Sequence, residues 1–502
     1  MVAIGQDFFF TALVSLVTVV IVATGYIKYC YGYWKRKNVP YLVPRFPFGN
    51  STSLFPKGIS IGAVTKSFYD KFKSMGHSVG GIYFGIEPKL VILDPDLIRD
   101  ILIKDFQNFT DRGVYQSESD PISVNIFSQP GTDWRNVRVK LTTVFTSAKM
   151  KAMFQTMLDC REGLEEALKE LAKQKNDVDI LEVIGCFTTD VIGSCAFGIA
   201  CNSFKHPDAE FRTMGRKLFG EFNLMDRLNL FLSIYTPRLA QKLGVRNIQK
   251  DISRFFFHSI KDTVNHREKN NLRRNDLLQL LIDLKNSDVK LSMNELIAQV
   301  FLFFSAGFET SSSTTSLALF ELSKRQELQE KLREEIREVL KRHDDKITYD
   351  AIAGMKYLAQ AVDETLRIWP PVATITRVCT KDYRLQGTDI TVEKDTMVLI
   401  PALGLHHDPD LWPEPEKFDP DRFSDENKGK IVPGSYMPFG SGPRNCIGSR
   451  FALLEAKVLM VSLMSRFDIV PVKRTTIPIK LAKTMNLSVK DGFWLGFKKR
   501  NK

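Results

Sequence analysis

The sequence lacks the features that usually divide a long chain or mark a nucleotide site. Residues 50–502 contain no proline- or serine-rich linker, no internal repeat and no low-complexity tract. Length alone would predict two or three domains, because single cores usually stop growing at about 250–300 residues. The missing linker favours one large domain over residues 51–502. No GxGxxG fingerprint follows a predicted strand, so the chain is not predicted to carry its own flavin or NADPH site.

Paired cysteines and a compact basic arm are also absent. The chain has 7 cysteines, an odd number without CxxC spacing, which disfavours the common zinc patterns and indicates a reducing, cytosolic environment. Lysine and arginine number 70 against 58 acidic residues, for a formal net charge of +12. Such an excess suits nucleic acid, an anionic membrane or an acidic protein partner. It is spread along the chain without a basic, aromatic-rich segment, so nucleic acid is not a predicted partner.

The amino-terminal stretch is apolar. Residues 8–27 carry no charge, and about 20 apolar residues suffice to cross a bilayer as a helix. Lys28 and a basic cluster at 35–37 follow, so the chain after Lys28 is predicted to be cytosolic. A cleaved secretory signal fits less well, because no basic residue precedes an apolar stretch that exceeds the usual length of about 7–15 residues. We therefore predict a membrane anchor over residues 1–30 and a basic, proline-rich hinge over residues 31–50.

Beyond the hinge, the pattern is mainly helical with a small β lobe. Leu328, Leu332, Ile336 and Leu340 recur every four residues among charged side chains, which predicts an amphipathic helix. The other predicted elements are a hairpin of residues 82–84 and 90–93 separated by Glu87-Pro88, a helix from Pro95 through Lys104, an exposed loop over residues 265–276, and short strands within residues 383–402.

One cysteine lies in a glycine-rich loop. Residues 439–448 read Phe-Gly-Ser-Gly-Pro-Arg-Asn-Cys-Ile-Gly, and residues 449–460 have helix-forming composition. Glycines let backbone N–H groups approach the sulfur of Cys446, and a thiolate needs such donors and positive potential. A cysteine thiolate can be the axial ligand of heme iron, which favours O–O bond cleavage. The alternatives are a buried free cysteine and a heme ligated by His406 or His407, the weaker hypothesis because a thiolate loop is already present.

The loop resembles the heme-binding signature of the cytochrome P450 superfamily, Phe-x-x-Gly-x-x-x-Cys-x-Gly, read from Phe439 through Gly442 and Cys446 to Gly448. The resemblance implies the P450 fold, mainly α with a small β lobe, preceded by a single N-terminal transmembrane helix. It also implies heme b (iron protoporphyrin IX) as cofactor, with Cys446 as the axial ligand of the iron. The other loop residues assigned to cofactor binding are Phe439, Gly440, Arg444 and Gly448.

An apolar segment, residues 296–322, contains an acid and an alcohol side by side in Ala306-Gly-Phe-Glu-Thr-Ser311. Burying an unmatched hydroxyl costs about 1–3 kcal/mol, and a carboxylate costs more. Thr310 can satisfy itself by bonding the carbonyl of Ala306 in its own helix. The segment also resembles the family's Ala/Gly-Gly-x-Asp/Glu-Thr oxygen-binding motif. That likeness implies that Ala306 contacts the cofactor and that Thr310 and Glu309 relay protons through water, and both interpretations can hold together.

Two further segments carry the resemblance. Glu364 and Arg367, three residues apart on a predicted helix, match the family's Glu-x-x-Arg element, and residues 420–423 match its Pro-x-Arg-Phe element. The resemblance implies a structural triad of Glu364, Arg367 and Arg422. The positions that correspond to heme-propionate contacts are Arg112, Trp134, Arg138, Arg377 and Arg444. Trp134 and Arg138 can both donate to carboxylates, whereas Arg112 and Arg377 rest on looser matching and can also be plain surface charges.

The function implied by the resemblance is monooxygenation. One oxygen atom of O2 enters a lipophilic substrate, with electrons from NADPH delivered by a reductase. Residues 187–194 and 145–147 look most like insect microsomal members that clear insecticides and plant allelochemicals, which implies the endoplasmic reticulum membrane. The implied partner is NADPH-cytochrome P450 reductase, and cytochrome b5 is a further candidate. Candidate basic contacts for the reductase are Arg135, Lys140, Lys428, Lys430 and Arg450.

Two other functions stay open at the level of the sequence. A heme-dependent peroxide isomerase or dehydratase needs no redox partner, and the Glu309–Thr310 pair speaks against it. A non-enzymatic heme sensor or lipophile-sequestering membrane protein would keep Cys446 without a proton relay. By family position, the substrate pocket is expected to be lined from residues 115–127, 211–239, 301–304, 372–375 and 483–487.

Overall fold

Helices make up most of the described chain. The computed structural model describes residues 2–51, 60–117, 119–174, 177–220, 223–287, 291–482, 487, 489–490 and 492–500. The α-helices are α1 (Val2–Tyr31), α2 (Tyr33–Arg36), α3 (Ile61–Ser74), α4 (Pro95–Arg99), α5 (Gly131–Thr142), α6 (Ser147–Gln174), α7 (Ile180–Ile192), α8 (Glu210–Phe219), α9 (Leu224–Tyr235), α10 (Pro237–Lys242), α11 (Lys250–Lys269), α12 (Leu277–Lys285), α13 (Met293–Ser323), α14 (Gln326–Lys341), α15 (Tyr349–Gly354), α16 (Lys356–Ile368), α17 (Ala402–His406) and α18 (Ser449–Met464). The strands are β1 (Val79–Phe84), β2 (Glu87–Ile92), β3 (Val178–Asp179), β4 (Ile375–Val378), β5 (Tyr383–Arg384), β6 (Thr391–Val392), β7 (Met397–Ile400), β8 (Phe467–Pro471) and β9 (Trp494–Lys499).

The strands form a small lobe beside the helices. One sheet has the order β1-β2-β7-β4, with β2 and β7 parallel and the other neighbours antiparallel. A second sheet has the order β3-β9-β8, and β5 pairs with β6. Apolar residues of the four-stranded sheet and of α3 form one buried cluster, and the helices enclose a larger one. The predicted class, mainly α with a small β lobe, is confirmed.

Helix α13 runs through the larger cluster. Its start is fixed by a capping box, in which the Glu295 amide donates to Ser292 Oγ at 3.2 Å and the Ser292 amide donates to Glu295 Oε2 at 2.8 Å. Gly307 lets the helix approach α7, because a Cβ at this position would lie 2.9 Å from Cδ1 of Ile192. The helix also packs against α16 and α18. It therefore brings the residues around position 307 to the centre of the molecule.

The predicted elements hold, with two corrections. The helices predicted from residues 296–322, 328–340 and 449–460 are α13, α14 and α18, and the strands predicted within residues 383–402 are present. The helix predicted from Pro95 also runs through Lys104, although its last turn is a π-helix.

The first correction concerns the hairpin. It is present as β1 and β2, but its turn lies at residues 85–86, not at Glu87-Pro88. Gly85 adopts φ +58°, a left-handed conformation that glycine tolerates. Pro88 lies inside β2 opposite Tyr83, and pairing with β7 begins only at Lys89. Its missing N–H therefore costs no hydrogen bond to β7.

The second correction concerns the loop predicted over residues 265–276. Its first part is helical, because α11 continues to Lys269. Arg267 and Asp276, at the two sides of the remaining turn, are both buried and pair at 2.6 Å between Nη2 and Oδ2. A buried pair of this kind needs fixed geometry, so the exposed-loop prediction was wrong for these residues.

The amino terminus has two parts. Phe10–Tyr31, within α1, is long and apolar enough to cross a membrane and is not buried in the rest of the described chain, except near its end, where the Tyr31 ring packs against Tyr83, so it is a candidate membrane anchor. The segment that follows packs on the sheet. Trp34 is 1% exposed and its Nε1 donates to the carbonyl of Ile82 at 3.1 Å. The backbone of Leu42 also bonds Gly81 at 3.0 Å.

Candidate active site

A cavity of about 300 Å³ lies within the helical core. Part of its wall is the segment of residues 437–448, called here the Cys446 loop, and the first turns of α18. Another part is α13, through Leu302, Phe303, Ala306, Gly307 and Thr310. Most of the remaining wall is apolar. The fold therefore brings the two segments singled out in the sequence to one cavity.

Backbone hydrogen bonds and glycines shape the Cys446 loop. The Cys446 amide donates to the carbonyl of Phe439 at 2.8 Å, and the Gly440 amide donates to the carbonyl of Met437 at 2.9 Å. Gly440 and Gly442 adopt φ values of +72° and +71°, which favour glycine. A Cβ at Gly442 would also lie 1.8 Å from the carbonyl oxygen of Leu102. The loop therefore turns back tightly and presents the Cys446 side chain to the cavity.

The surroundings of the Cys446 thiol shift its pKa in opposite directions. Burial raises its pKa, while the backbone amide of Gly448 and the guanidinium groups of Arg138 and Arg112 act to lower it. Burial prevails in the protein alone, so the thiol form is favoured there. A metal cation reverses this balance, because a coordinating thiol is deprotonated outright. The donor set thus suits a cysteine that becomes a thiolate when it ligates iron.

Buried arginines crowd one end of the cavity. Burial lowers the pKa of Arg112 to about 10. Burial, followed by the charges of Arg112 and Arg444, lowers the pKa of Arg377 to about 9. Arg377 is only 1% exposed, and its Nε has no hydrogen-bond partner within the described residues. Uncompensated buried charge is strongly destabilising, so the cluster needs an anionic ligand, and the two propionates of heme fit it.

The five predicted propionate contacts divide into two groups. Those that line the cavity are Arg112, Trp134, Arg138 and Arg377. Arg377 is therefore not a surface charge. Arg138 also holds the Cys446 loop, since its Nη1 donates to the carbonyl of Asn445 at 2.9 Å.

Arg444 lies behind that lining. Its Nη2 donates to the carbonyl of Gln129 at 2.6 Å, and its guanidinium stacks on the Trp134 ring, 4.4 Å from the ring centroid. Its nearest recorded carboxylate among the described residues, Asp111, is 4.0 Å away. Arg444 is thus placed to orient Trp134 and to add positive potential rather than to face the cavity.

The two polar residues of the α13 motif point in different directions. Thr310 lines the cavity, and its hydroxyl donates to the carbonyl of Ala306 at 2.6 Å. Glu309 does not line it. Burial raises the pKa of Glu309, opposed by a long hydrogen bond of 3.4 Å from Ser313. The carboxyl is therefore poised to stay protonated at a higher pH than usual.

The predicted triad is present as a group of contacting side chains, those of Glu364, Arg367 and Arg422. Glu364 and Arg367 are both 0% exposed and form a two-pronged pair, at 2.7 Å from Nε and 2.9 Å from Nη2. Arg422 Nε lies 3.4 Å from Glu364 Oε1. Arg367 also donates to the carbonyls of His406 and Pro415, each at 2.7 Å. These contacts tie α16 to the segments that lead to the cysteine.

The expected pocket segments contribute unequally. Ile126, Phe127, Val372 and Ile375 line the cavity. No described residue of 211–239 does, and α13 contributes Leu302 and Phe303 rather than Phe301 and Phe304. Leu487 is buried, whereas residues 483–486 lie outside the described residues.

One buried acid escaped the sequence analysis. Glu455 on α18 is 0% exposed, and neither of its oxygens has a hydrogen-bond partner in the described part of the chain. Burial raises its pKa to about 8. The signal that marks it is a single acid in the apolar stretch of residues 451–464.

Comparison with known proteins agrees with this geometry. The family profile Cytochrome P450 matches residues 48–494. The chain therefore belongs to the cytochrome P450 family, whose members are heme-dependent monooxygenases, and its architecture is the P450 fold.

Its curated relatives include insect proteins. Cytochrome P450 6A1 of Musca domestica is 40% identical over 487 residues, which cover 95% of each chain. Probable cytochrome P450 6a14 of Drosophila melanogaster is 40% identical over 485 residues, 93% of this chain and 95% of that protein. Cytochrome P450 6k1 of Blattella germanica is 38% identical over 512 residues, which cover 97% of each.

Proposed function

We propose that this chain oxidises lipophilic foreign compounds, including insecticides and plant allelochemicals, by inserting one oxygen atom of O2. Electrons come from NADPH through NADPH-cytochrome P450 reductase. Residues 1–30 anchor the chain in the endoplasmic reticulum membrane, residues 31–50 form the hinge, and residues 51–502 form the cytosolic catalytic domain. The observation that carries the proposal is the shared cavity, with Cys446 and the arginines in one part of its wall and Thr310 in another.

The residues of the cavity have separate tasks in this proposal. Cys446 ligates the iron, and Arg112, Arg138, Arg377 and Trp134 hold the propionates by charge-assisted hydrogen bonds. Phe439, Gly440 and Gly448 shape the Cys446 loop, and Ala306 on α13 would also contact the heme. Bound heme supplies the activation of O2 and the oxidation of the substrate.

Two residues of α13 supply protons in this proposal. In this proposal Thr310 holds a water at the cavity surface through its hydroxyl, and Glu309, which does not line the cavity, passes protons to that water through further waters. The raised pKa of Glu309 keeps its carboxyl protonated to a higher pH than that of an ordinary glutamate, which suits a proton donor. An apolar remainder of the wall excludes bulk water and binds a lipophilic substrate by burial.

The surface supports a membrane location. Besides α1, four apolar side chains near the amino-terminal segment and on α9 are strongly exposed: Val43 at 80%, Phe46 at 60%, Leu224 at 82% and Met225 at 61%. Such exposure is costly in water and favourable in lipid. Removal of residues 1–30 is expected to shift the protein from the membrane pellet toward the high-salt supernatant. Unchanged distribution would contradict the anchor assignment.

The decisive experiment has two stages. The reduced, carbon-monoxide-treated protein is expected to show the Soret maximum typical of thiolate coordination, and Cys446→Ser is expected to abolish it. Incubation with reductase, NADPH and a panel of insecticides and plant allelochemicals, followed by mass spectrometry, then identifies products larger by one oxygen atom. NADPH-independent conversion would indicate the isomerase or dehydratase alternative. Heme binding without any turnover would indicate the sensor or carrier alternative.

A further inference from the structure

His406, the last residue of α17, is fully buried and uses both ring nitrogens. Its Nδ1 lies 3.0 Å from the carbonyl oxygen of Arg367, and its Nε2 lies 3.0 Å from the amide nitrogen of Met437. A carbonyl oxygen can only accept and an amide N–H can only donate. The two contacts therefore assign the tautomer: Nδ1 carries the proton and Nε2 accepts from Met437.

The imidazole connects two parts of the site. On one side, Arg367 Nη1 donates to the His406 carbonyl at 2.7 Å, so the two residues exchange hydrogen bonds in both directions. On the other side, Met437 begins the Cys446 loop. Its carbonyl accepts from Gly440 at 2.9 Å, and the carbonyl of Phe439 accepts from the Cys446 amide at 2.8 Å. Hydrogen bonds, together with the backbone of residues 437–440, thus connect Arg367 to the amide of Cys446.

The neutral imidazole is required for this connection, because a protonated Nε2 cannot accept from Met437. Burial, followed by the neighbouring charges of His407 and Arg367, lowers the pKa of His406 to about 3. The Tyr436 ring packs beside it, with ring centroids 5.5 Å apart. The surroundings therefore keep His406 uncharged across the physiological range.

We propose that His406 is a positioning residue that transmits the fixed geometry of Arg367 to the Cys446 loop and thereby sets the position of the cysteine sulfur. This inference rests on the proposed role of Cys446 as iron ligand. A role in packing alone would need only the ring's shape, whereas this role needs an acceptor directed at the Met437 amide.

Variants of His406 separate its two hydrogen bonds. His406→Asn keeps a donor near Nδ1 for the Arg367 carbonyl but cannot reach Met437. His406→Gln extends to the place of Nε2, where its carbonyl oxygen can accept from Met437. His406→Leu removes both hydrogen bonds. The matched control is His407→Gln, because His407 contacts the carbonyl of Ile368 at 2.8 Å and Glu416 at 3.0 Å but not the loop.

The test compares full-length, heme-loaded proteins by the rate at which the reduced carbon-monoxide complex loses its thiolate-type Soret band in mild denaturant. An unsatisfied buried N–H costs about 1–3 kcal/mol. The His406→Asn and His406→Leu variants are therefore expected to lose the band about tenfold faster than wild type or more, a factor that corresponds to about 1.4 kcal/mol. His406→Gln and His407→Gln are expected to stay within about threefold of wild type.

Two outcomes overturn the proposal: wild-type rates in His406→Asn and His406→Leu, or equal impairment of His406→Asn and His406→Gln. Hydrogen exchange of peptides covering residues 432–440, measured on the same samples, tests the hydrogen bond from the Met437 amide to His406 independently of the iron. The Met437 amide is expected to lose protection in the Asn and Leu variants only. If wild-type protein shows no thiolate band, the proposed function fails, while the exchange pattern still tests whether His406 holds the loop.

Discussion

The Cys446 loop and helix α13 border the same cavity but satisfy their polar groups differently. Behind the loop, Glu364, Arg367 and His406 are each 0% exposed and each has several hydrogen-bond partners. On α13, Glu309 receives one long hydrogen bond. The hydroxyls of Thr315 and Ser316 on the same helix have no partner within the described residues.

The difference indicates that the Cys446 loop and helix α13 have separate functions. A fully satisfied buried network fixes geometry, since every donor and acceptor is committed. Groups with spare hydrogen-bonding capacity can exchange protons with water. The loop side is therefore expected to govern whether the cofactor stays bound in the right state, and α13 to govern how efficiently reduced oxygen is used. Four predictions test this comparison.

The largest effect is expected from Arg367→Ala. The change leaves the buried Glu364 carboxylate without its main partner, a loss of about 3–5 kcal/mol. The variant should fail to retain heme, as measured by the heme-to-protein ratio after purification. Lys331→Ala, which breaks the exposed ion pair with Asp421, serves as the control and should retain heme. Soluble, fully loaded Arg367→Ala protein would refute the structural role.

Thr310→Ala should leave heme content unchanged but impair turnover. Positioned proton transfer is worth on the order of 100-fold or more, so product formation should fall by about that factor. NADPH consumption should continue, with peroxide and water as the products. The control is Ser323→Ala at the end of α13, whose hydroxyl donates to the Phe320 carbonyl at 2.7 Å and does not line the cavity, and it should keep the wild-type product yield. Full product yield per NADPH in Thr310→Ala would remove Thr310 from the relay.

The pH dependence of turnover tests Glu309. Its pKa is raised by burial, so the protonated donor persists above the usual range for a carboxyl and is lost as pH rises through the raised pKa. Product yield per NADPH should fall over that interval in wild type. Glu309→Gln cannot titrate and should give a lower, flat profile. A variant that retains the wild-type pH profile would show that another group supplies the proton.

The smallest effect is expected on the binding of the reductase to the basic surface around Arg135. If the reductase docks on Arg135 and its neighbours, the apparent KM for the reductase should rise with salt, because the Debye length is only about 8 Å at physiological ionic strength. Each exposed pair contributes about 0–1 kcal/mol, so Arg135→Ala should raise KM by at most about fivefold. Salt-independent turnover would contradict electrostatic docking.

Local pattern was enough to predict the elements that matter most here. The four-residue repeat of α14, the apolar run of α13 and the glycine loop before α18 each carry their own signal. The sheet order could not be predicted, because the parallel pair β2 and β7 joins residues about 300 positions apart. The predicted turn was placed at Glu87-Pro88 instead of Gly85, because a proline in an edge strand cannot be distinguished in the sequence from a proline in a turn.

The site was predictable only where family motifs mark it. Cys446 and Thr310 follow from short patterns, and both line the cavity, while Arg367 follows from another short pattern and pairs with Glu364. His406 and Glu455 could not be predicted, since a single polar residue gives no sign of complete burial until the packing around it is known. Arg444 was expected to face the cavity, but its guanidinium lies behind Trp134. The direction of the Arg444 guanidinium depends on its hydrogen bond to the carbonyl of Gln129, which lies far from Arg444 in the sequence.

The crowding of Arg112, Arg377 and Arg444 bears on how the protein is made. A newly synthesised chain that closes this region before the cofactor arrives must hold two buried arginines, Arg377 and Arg444, beside the half-buried Arg112, an arrangement of mutually repelling cations that costs several kcal/mol. We therefore expect insertion of the porphyrin to be coupled to the final closure of the fold. We expect cells short of heme to accumulate an open, protease-sensitive form, and supplementation with a heme precursor to restore the resistant one.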